Sequence, residues 1–106
     1  MPHITLYQEK VARLKCIVTA TIEDNGVFLM EGFDEGTLID NVWISQGHEY
    51  SLKLSLEEVE RLQIHLEVSN PEELLRRIQQ QFGHKQAFAA FKLFLNQHQL
   101  DYEHTP

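Results

Sequence analysis

The chain has 106 residues, of which 42% are hydrophobic and 24% are charged, and its formal net charge is −7 at pH 7. This length allows one domain with one modest core, because two smaller domains would each bury too little apolar surface to be stable. The negative charge argues against a nucleic-acid partner, since binding to a phosphate backbone depends on Lys and Arg. The polar N-terminus and the lack of a long apolar run predict a cytosolic protein with no membrane partner.

The clearest predicted strand runs from Arg13 to Glu23, where apolar and polar residues alternate. Its inward face is expected to hold Leu14, Cys16, Val18, Ala20 and Ile22. The segment Asp24-Asn25-Gly26 then supplies an Asn-Gly pair, which tolerates the positive φ angles of a tight hairpin turn. The chain is predicted to return as a second strand from Val27 to Phe33. Apolar residues on both faces of this strand indicate a central position or a covering helix.

The pattern between Asp34 and Gln46 is looser, and we interpret this segment as a structured loop with a short helix within Thr37–Trp43. Alternation resumes in His48–Leu54, which predicts a third strand. Its inward residues are expected to be Tyr50, Leu52 and Leu54.

Three helices are predicted next. Ser55 and Glu58 have the spacing of a capping box, and the helix that they begin has an apolar stripe of Val59, Leu62 and Leu66. Asn70 and Pro71 begin a second helix that ends at Gly83, and its inward residues are Leu74, Leu75, Ile78 and Phe82. The third helix is predicted from Lys85 to Gln97.

A short last strand is possible in Leu100–His104. The order β-β-loop-β-α-α-α-(β) predicts a single α+β domain over residues 1–106. Its sheet would be mainly antiparallel, with three to four strands and the helices packed on one face.

Residue types used in catalysis are present, but their spacing does not form a recognisable site. No His, Ser or Cys stands beside the carboxylates in a catalytic arrangement, and the six histidines lack metal-ligand spacing. Carboxylates follow Gly32 and Gly36 and would repel a phosphate. The single cysteine, Cys16, is expected to be a small buried hydrophobe in a reducing compartment. We therefore predict a protein that is not an enzyme, with no catalytic residue, no metal and no cofactor.

The predicted strands, turns and helices do not explain one feature of the sequence, an acidic segment in its first half. Between Cys16 and Leu52 the chain has seven carboxylates and no Lys or Arg. Trp43, the only tryptophan, lies within this segment and is either part of the core or an aromatic anchor rimmed by carboxylates. The predicted partner-binding residues are Glu31, Asp34, Glu35, Asp40, Trp43 and Glu49.

The segment Leu29–Gly36, together with the strand His48–Leu54, resembles a family of small, uncharacterised bacterial cytosolic α+β proteins. Members of this family have an acidic Leu-x-Glu-Gly-x-Asp-x-Gly segment, a Tyr-Glu-Tyr-like strand, a helical middle and an aromatic C-terminal strand. The likeness covers residues 19–103, and the chain departs from it at 102–106, which lacks the family's terminal tryptophans. The resemblance implies the α+β fold and no particular chemistry.

In size, charge and compartment the chain is also similar to the immunity proteins encoded beside bacterial contact-dependent growth inhibition toxins and other polymorphic toxins, many of which are basic nucleases. This resemblance implies that the acidic segment binds and neutralises a cognate basic toxin domain, because an acidic face complements a cationic surface. The alternative is a structural module that self-associates through a sheet edge and has no toxin partner. Either a monomer or a homodimer fits these expectations.

Overall fold

The computed structural model describes residues 2–11, 14–37 and 44–106, and it shows an α+β fold. The described residues form a five-stranded antiparallel sheet, in the order β1-β2-β3-β4-β5, and three helices. The strands are β1 (His3–Val11), β2 (Leu14–Ile22), β3 (Phe28–Thr37), β4 (Ile44–Leu54) and β5 (Glu103–Thr105). The helices are α1 (Leu56–Leu66), α2 (Pro71–Phe82) and α3 (Ala87–Gln97). The predicted α+β class with a mainly antiparallel sheet is confirmed.

The predicted hairpin between β2 and β3 is confirmed. The Gly26 amide donates to the Glu23 carbonyl oxygen over 2.8 Å, and Gly26 has a φ of 87°, which favours glycine. The Asn25 side chain also accepts a hydrogen bond from the Val27 amide over 3.1 Å. The turn sets Ile22 opposite Phe28. β3 pairs with β2 and with β4 and is the central strand of the sheet, as the apolar residues on both of its faces indicate.

The N-terminal strand β1 was not predicted. Its pairing with β2 shifts between Thr5 and Tyr7, so that a bulge at Leu6 interrupts the two-residue period. Ile4 lies opposite Ala20, whereas Tyr7 lies opposite Val18, and both face the helices. Because the bulge breaks the alternation, the N-terminal residues show no strand pattern in the sequence, although they form an edge strand.

The predicted loop from Asp34 to Gln46 is wrong at both of its ends. β3 continues through Thr37, and β4 already begins at Ile44. Antiparallel pairing explains the extension, because β2 provides partners for β3 as far as Gly36. Residues 38–43, which make up most of the predicted short helix, lie outside the described residues.

The hydrophobic core lies between the helices and one face of the sheet. The predicted inward positions that the structure describes are largely confirmed, although Cys16 and Tyr50 are only half-buried. The side chain of Leu14 lies outside the described part of the structure. Fully buried residues of the sheet include Ala20, Phe28, Met30, Leu52 and Leu54, and those of the helices include Leu62, Leu74, Ile78, Phe91 and Leu95.

Both predicted N-caps are confirmed. The Asn70 side chain accepts from the Glu73 amide over 2.9 Å, and Ser55 accepts from the Glu58 amide over 3.5 Å. The reciprocal half of the Ser55 capping box is absent, because the Glu58 carboxylate instead accepts from Arg61 and from the Asp101 amide. Glu58 thus connects α1 to the segment that leads into β5. No helix among the described residues is long and apolar enough to cross a membrane.

Candidate functional site

The sheet has one face packed against the helices and one face that contributes nothing to the hydrophobic core, here called the open face. Residues directly opposite each other on neighbouring strands share a face, so the strand register assigns every side chain to one of the two. Glu31 lies opposite Thr19 and Ser51, and Phe33 lies opposite Ile17 and Glu49. All of these residues are on the open face.

The open face is organised in rows that cross the sheet from β1 towards β5. The row nearest the β2–β3 turn contains His3, Thr21, Leu29, Lys53 and Glu103. The next row contains Thr5, Thr19, Glu31, Ser51 and Thr105. The third contains Gln8, Ile17, Phe33 and Glu49, and the fourth contains Lys10, Lys15 and Glu35.

The second and third rows form a shallow groove of about 410 Å³, here called the central groove. Its apolar surface comes from Ile17 and Phe33, which are both half-buried. Glu31 and Glu49 are exposed at its sides, and Ser51 contributes a hydroxyl group. The groove therefore joins an aromatic ring, an aliphatic side chain and two carboxylates on a surface that the helices leave uncovered.

The structure restricts the acidic surface to fewer residues than the sequence predicts. Lys15 lies directly opposite Glu35, and Lys53 lies in the same row as Glu103, so cations flank the acidic groups at both ends of the open face. The two central rows contain only Glu31 and Glu49 as charged residues. The uncompensated negative charge of the open face is therefore concentrated at the central groove.

Asp34 does not join the other predicted carboxylates. It lies opposite Cys16 and His48, on the face that points towards the helices. Burial raises the pKa of the Cys16 thiol to about 11, and hydrogen bonding to Asp34 and the negative charge of Asp34 add to this effect. Burial also raises the pKa of Tyr50 to about 12, with the Asp34 charge as the next cause. Such a thiol is largely protonated near neutral pH and is a poor nucleophile.

The six predicted site residues are thus divided. Glu31, Glu35 and Glu49 share the open face, and Asp34 is on the opposite face. Asp40 and Trp43 lie outside the described residues. Among the predicted residues, only Glu31 and Glu49 line the central groove.

The structure contains a second acidic site that the sequence does not predict. A pocket of about 340 Å³ at the start of α1 brings together Glu57, Glu58, Asp101 and Glu103, with Lys53 as its only basic residue. Glu57 and Glu58 are more than forty positions away from Asp101 and Glu103 in the chain, so no local pattern could have grouped the two pairs. β5 contributes to both sites, because Glu103 lines the acidic pocket and Thr105, two residues further along the same strand, lines the central groove.

Ile17, Phe33 and Ser51 were also missed as site residues. The signal for them was present in the sequence, since all three occupy odd positions of alternating strands, as do Glu31 and Glu49. The apolar residues on both faces of β3 were interpreted only as a sign of its central position. A half-buried aromatic residue between two carboxylates, on a face outside the core, is a stronger indication of a surface that binds another molecule.

The described part of the chain contains no group of three or more His, Cys, Asp or Glu side chains that could hold a metal ion. The chemistry that the central groove offers is recognition of a cation on an apolar surface. Comparison of the chain with protein-family models, with curated proteins and with solved structures finds no match.

Proposed function

We propose that this protein is a cytoplasmic immunity protein that binds and neutralises a cognate basic toxin domain, most simply a nuclease. The toxin would dock on the open face of the sheet, with the central groove at the middle of the contact. The observation that carries this proposal is the pair Glu31 and Glu49, exposed beside Phe33 on a face that the helices leave uncovered.

The chemistry of the groove supports a protein partner. Binding surfaces between proteins combine an apolar, often aromatic centre with a polar rim. Phe33 and Ile17 provide such a centre, and Glu31 and Glu49 provide charge that attracts a basic surface. Complementary charge of this kind accelerates encounter to roughly 10⁸ M⁻¹s⁻¹ or more at low salt.

The acidic pocket extends this surface towards the start of β5. Glu103 lies on the open face, one row from the central groove, and lines the acidic pocket together with Asp101 and Glu57. A basic domain that covers the open face near β5 would meet both acidic sites. This arrangement fits a nuclease, whose own phosphate-binding surface is cationic and would be blocked by the complex.

The test takes the C-terminal domain encoded by the reading frame directly upstream, which the proposal predicts to be a small basic toxin. Its expression alone should stop bacterial growth, and co-expression of this protein should restore it. The purified pair should bind with an affinity that falls steeply between about 50 and about 300 mM NaCl, because screening weakens charge attraction. Absence of a growth-stopping domain upstream, or growth arrest that this protein does not relieve, would contradict the proposal.

A matched pair of variants tests the assigned surface. Glu31→Gln with Glu49→Gln should weaken toxin binding by at least about tenfold, since close charge pairs across an interface contribute more than about 1.4 kcal/mol. Glu60→Gln with Glu72→Gln removes the same net charge at two exposed positions on the helices and should leave affinity nearly unchanged. Equal effects of the two double variants would show that only the total charge matters.

One observation favours self-association as a second candidate. β1 is an edge strand of nine residues, and edge strands can pair with a second copy. The Gln79 side chain donates to the Thr5 carbonyl oxygen over 3.2 Å and protects one part of this edge. Sedimentation equilibrium distinguishes the two candidates: a stable homodimer would support this one, and a monomer at micromolar concentration would remove it.

A further inference from the structure

Phe33 lines the central groove, and the strand register fixes its neighbours. It lies directly opposite Ile17 on one side and Glu49 on the other. Glu31 lies opposite Ser51, so Glu31 and Glu49 are diagonal neighbours across β3 and β4. Diagonal neighbours are roughly 7–8 Å apart, within the reach of two flexible glutamate side chains that bind one cation.

Neither glutamate is engaged by another part of the described chain. The ion pair found within the described residues joins Arg61 to Glu58, and among these residues no side-chain hydrogen bond or ion pair involves Glu31 or Glu49. Lys15 and Lys53 lie on the open face, but each is one row outside the groove. Two carboxylates thus lie beside an aromatic ring without a cationic partner in the part of the chain that the structure describes.

We propose that the central groove binds one arginine side chain, and the inference rests on the proposed function for the source of that arginine, the surface of the basic partner. The guanidinium group would stack on Phe33 and donate hydrogen bonds to Glu31 and Glu49. It is a planar cation with five donors, it stacks on aromatic rings, and it is more weakly hydrated than an ammonium group. The apolar surface of Ile17 and Phe33 would accept its aliphatic stem.

Lysine fits the same groove less well. Its ammonium group is a compact, strongly hydrated charge that cannot donate to both carboxylates in one plane while it lies over the ring. An apolar floor would remove water from the ammonium group without replacing those hydrogen bonds. The groove is therefore expected to discriminate between two cations of equal charge, which a simple acidic surface would not do.

The experiment titrates the ¹⁵N-labelled protein with N-acetyl-arginine amide and follows the backbone amide signals by NMR. Saturable shifts are expected at Ile17, Phe33 and Glu49 and at their neighbours. N-acetyl-lysine amide should bind at least about threefold more weakly, and N-acetyl-citrulline amide, which has the same shape without the charge, should give no saturable shift. Shifts that do not saturate, or equal affinity for the arginine and lysine probes, would overturn the proposal.

Two variants locate the contacts. Glu31→Gln with Glu49→Gln should lower the affinity for N-acetyl-arginine amide at least about tenfold, whereas Glu60→Gln with Glu72→Gln should not change it. Phe33→Leu should remove the preference for arginine over lysine. The amide signals of this variant should stay dispersed, which shows that it is folded. Arginine preference that survives Phe33→Leu would contradict stacking on the ring.

Failure of this inference and failure of the proposed function are distinguishable. If the upstream toxin domain binds but N-acetyl-arginine amide does not, the arginine site is wrong and the immunity function stands. If the arginine probe binds in the groove and the upstream domain neither binds nor stops growth, the immunity function is wrong, and the groove remains an arginine-binding surface.

Discussion

The ring of Tyr50 lies directly over Gly32, in the place that any larger side chain at that position would occupy. A Cβ atom added at Gly32 would overlap the Cε2, Cζ and hydroxyl atoms of Tyr50. On its other side Tyr50 makes an edge-to-face contact with Phe88 of α3, with ring centroids 4.7 Å apart and an interplanar angle of 83°. Gly32 therefore allows the tyrosine ring to pack between the central strand and the helical layer.

Gly32→Ala is expected to destabilise the protein by about 1–3 kcal/mol, because the new methyl group must displace a packed ring. Urea unfolding followed by circular dichroism measures this cost. Tyr50→Ala removes the obstructing ring, so adding Gly32→Ala to that variant should cost less by about 1 kcal/mol or more. If the alanine costs the same in both backgrounds, the tyrosine ring is not the reason for glycine at this position.

The parts of the fold that local signals determine could be predicted from the sequence. A hairpin turn or a helix cap depends on residues within about four positions of each other, as at Asn25-Gly26, Ser55 and Asn70. The structure confirms each of these sites. The core stripes of α1 and α2 follow from the same short-range periodicity.

Features that depend on strand pairing could be predicted less well. β1 was missed because its bulge at Leu6 breaks the alternation, and no partner strand can be identified from the N-terminal residues alone. The sequence predicts a loop after Phe33 and therefore groups Asp34 with Glu31. Once β3 is known to continue, the even number of Asp34 places it on the opposite face from Glu31, Glu35 and Glu49.

Glu58 is expected to stabilise the connection between α1 and the C-terminal segment. Its side chain is about 10% exposed, and its carboxylate oxygens each lie 3.1 Å from Arg61 Nη1. It also accepts the Asp101 amide over 3.2 Å. Glu58→Ala should therefore lower the free energy of unfolding by about 2–3 kcal/mol, as expected for hydrogen bonds to a charged group.

Hydrogen exchange adds a local measurement for Glu58→Ala, because loss of the carboxylate should accelerate exchange at Asp101 and across β5. Glu57→Ala is the matched control, since Glu57 is exposed in the same turn and should change stability by no more than about 0.5 kcal/mol. Equal loss of stability in the two variants would mean that the contacts of Glu58 contribute little.

Alkaline pH is expected to destabilise the fold through Cys16 and Tyr50. Folding raises the pKa of Cys16 from 9.0 to about 11 and that of Tyr50 from 10.0 to about 12. Both groups are neutral when protonated, so the folded state holds these protons more tightly than the unfolded chain. The resulting stability is fully present below about pH 9 and is lost as the pH rises through about 9 to about 12.

Urea unfolding of the wild-type protein at about pH 8 and about pH 10.5 should show this fall in stability. Tyr50→Phe cannot ionise at this position and should retain more of its own pH 8 stability at the higher pH. A wild-type stability that is the same at both values would contradict the raised pKa values.

The rate at which the Cys16 thiol is alkylated tests which face of the sheet Asp34 occupies. Because Asp34 raises the pKa of Cys16, Asp34→Asn should lower that pKa and increase the thiolate fraction at any given pH below it. Alkylation of the folded protein by iodoacetamide at about pH 8 should then be at least about threefold faster than in the wild type, since the thiolate is the reactive form. Mass spectrometry of timed samples measures this rate.

Glu35→Gln is the control for the alkylation experiment, because it neutralises the adjacent carboxylate on the open face, opposite Lys15 rather than Cys16. Its alkylation rate should equal that of the wild type. A faster rate in Glu35→Gln together with an unchanged rate in Asp34→Asn would reverse the assignment of the two carboxylates to the two faces. Asp34 would then belong beside Glu31, and the acidic surface at the central groove would be wider than the strand register allows.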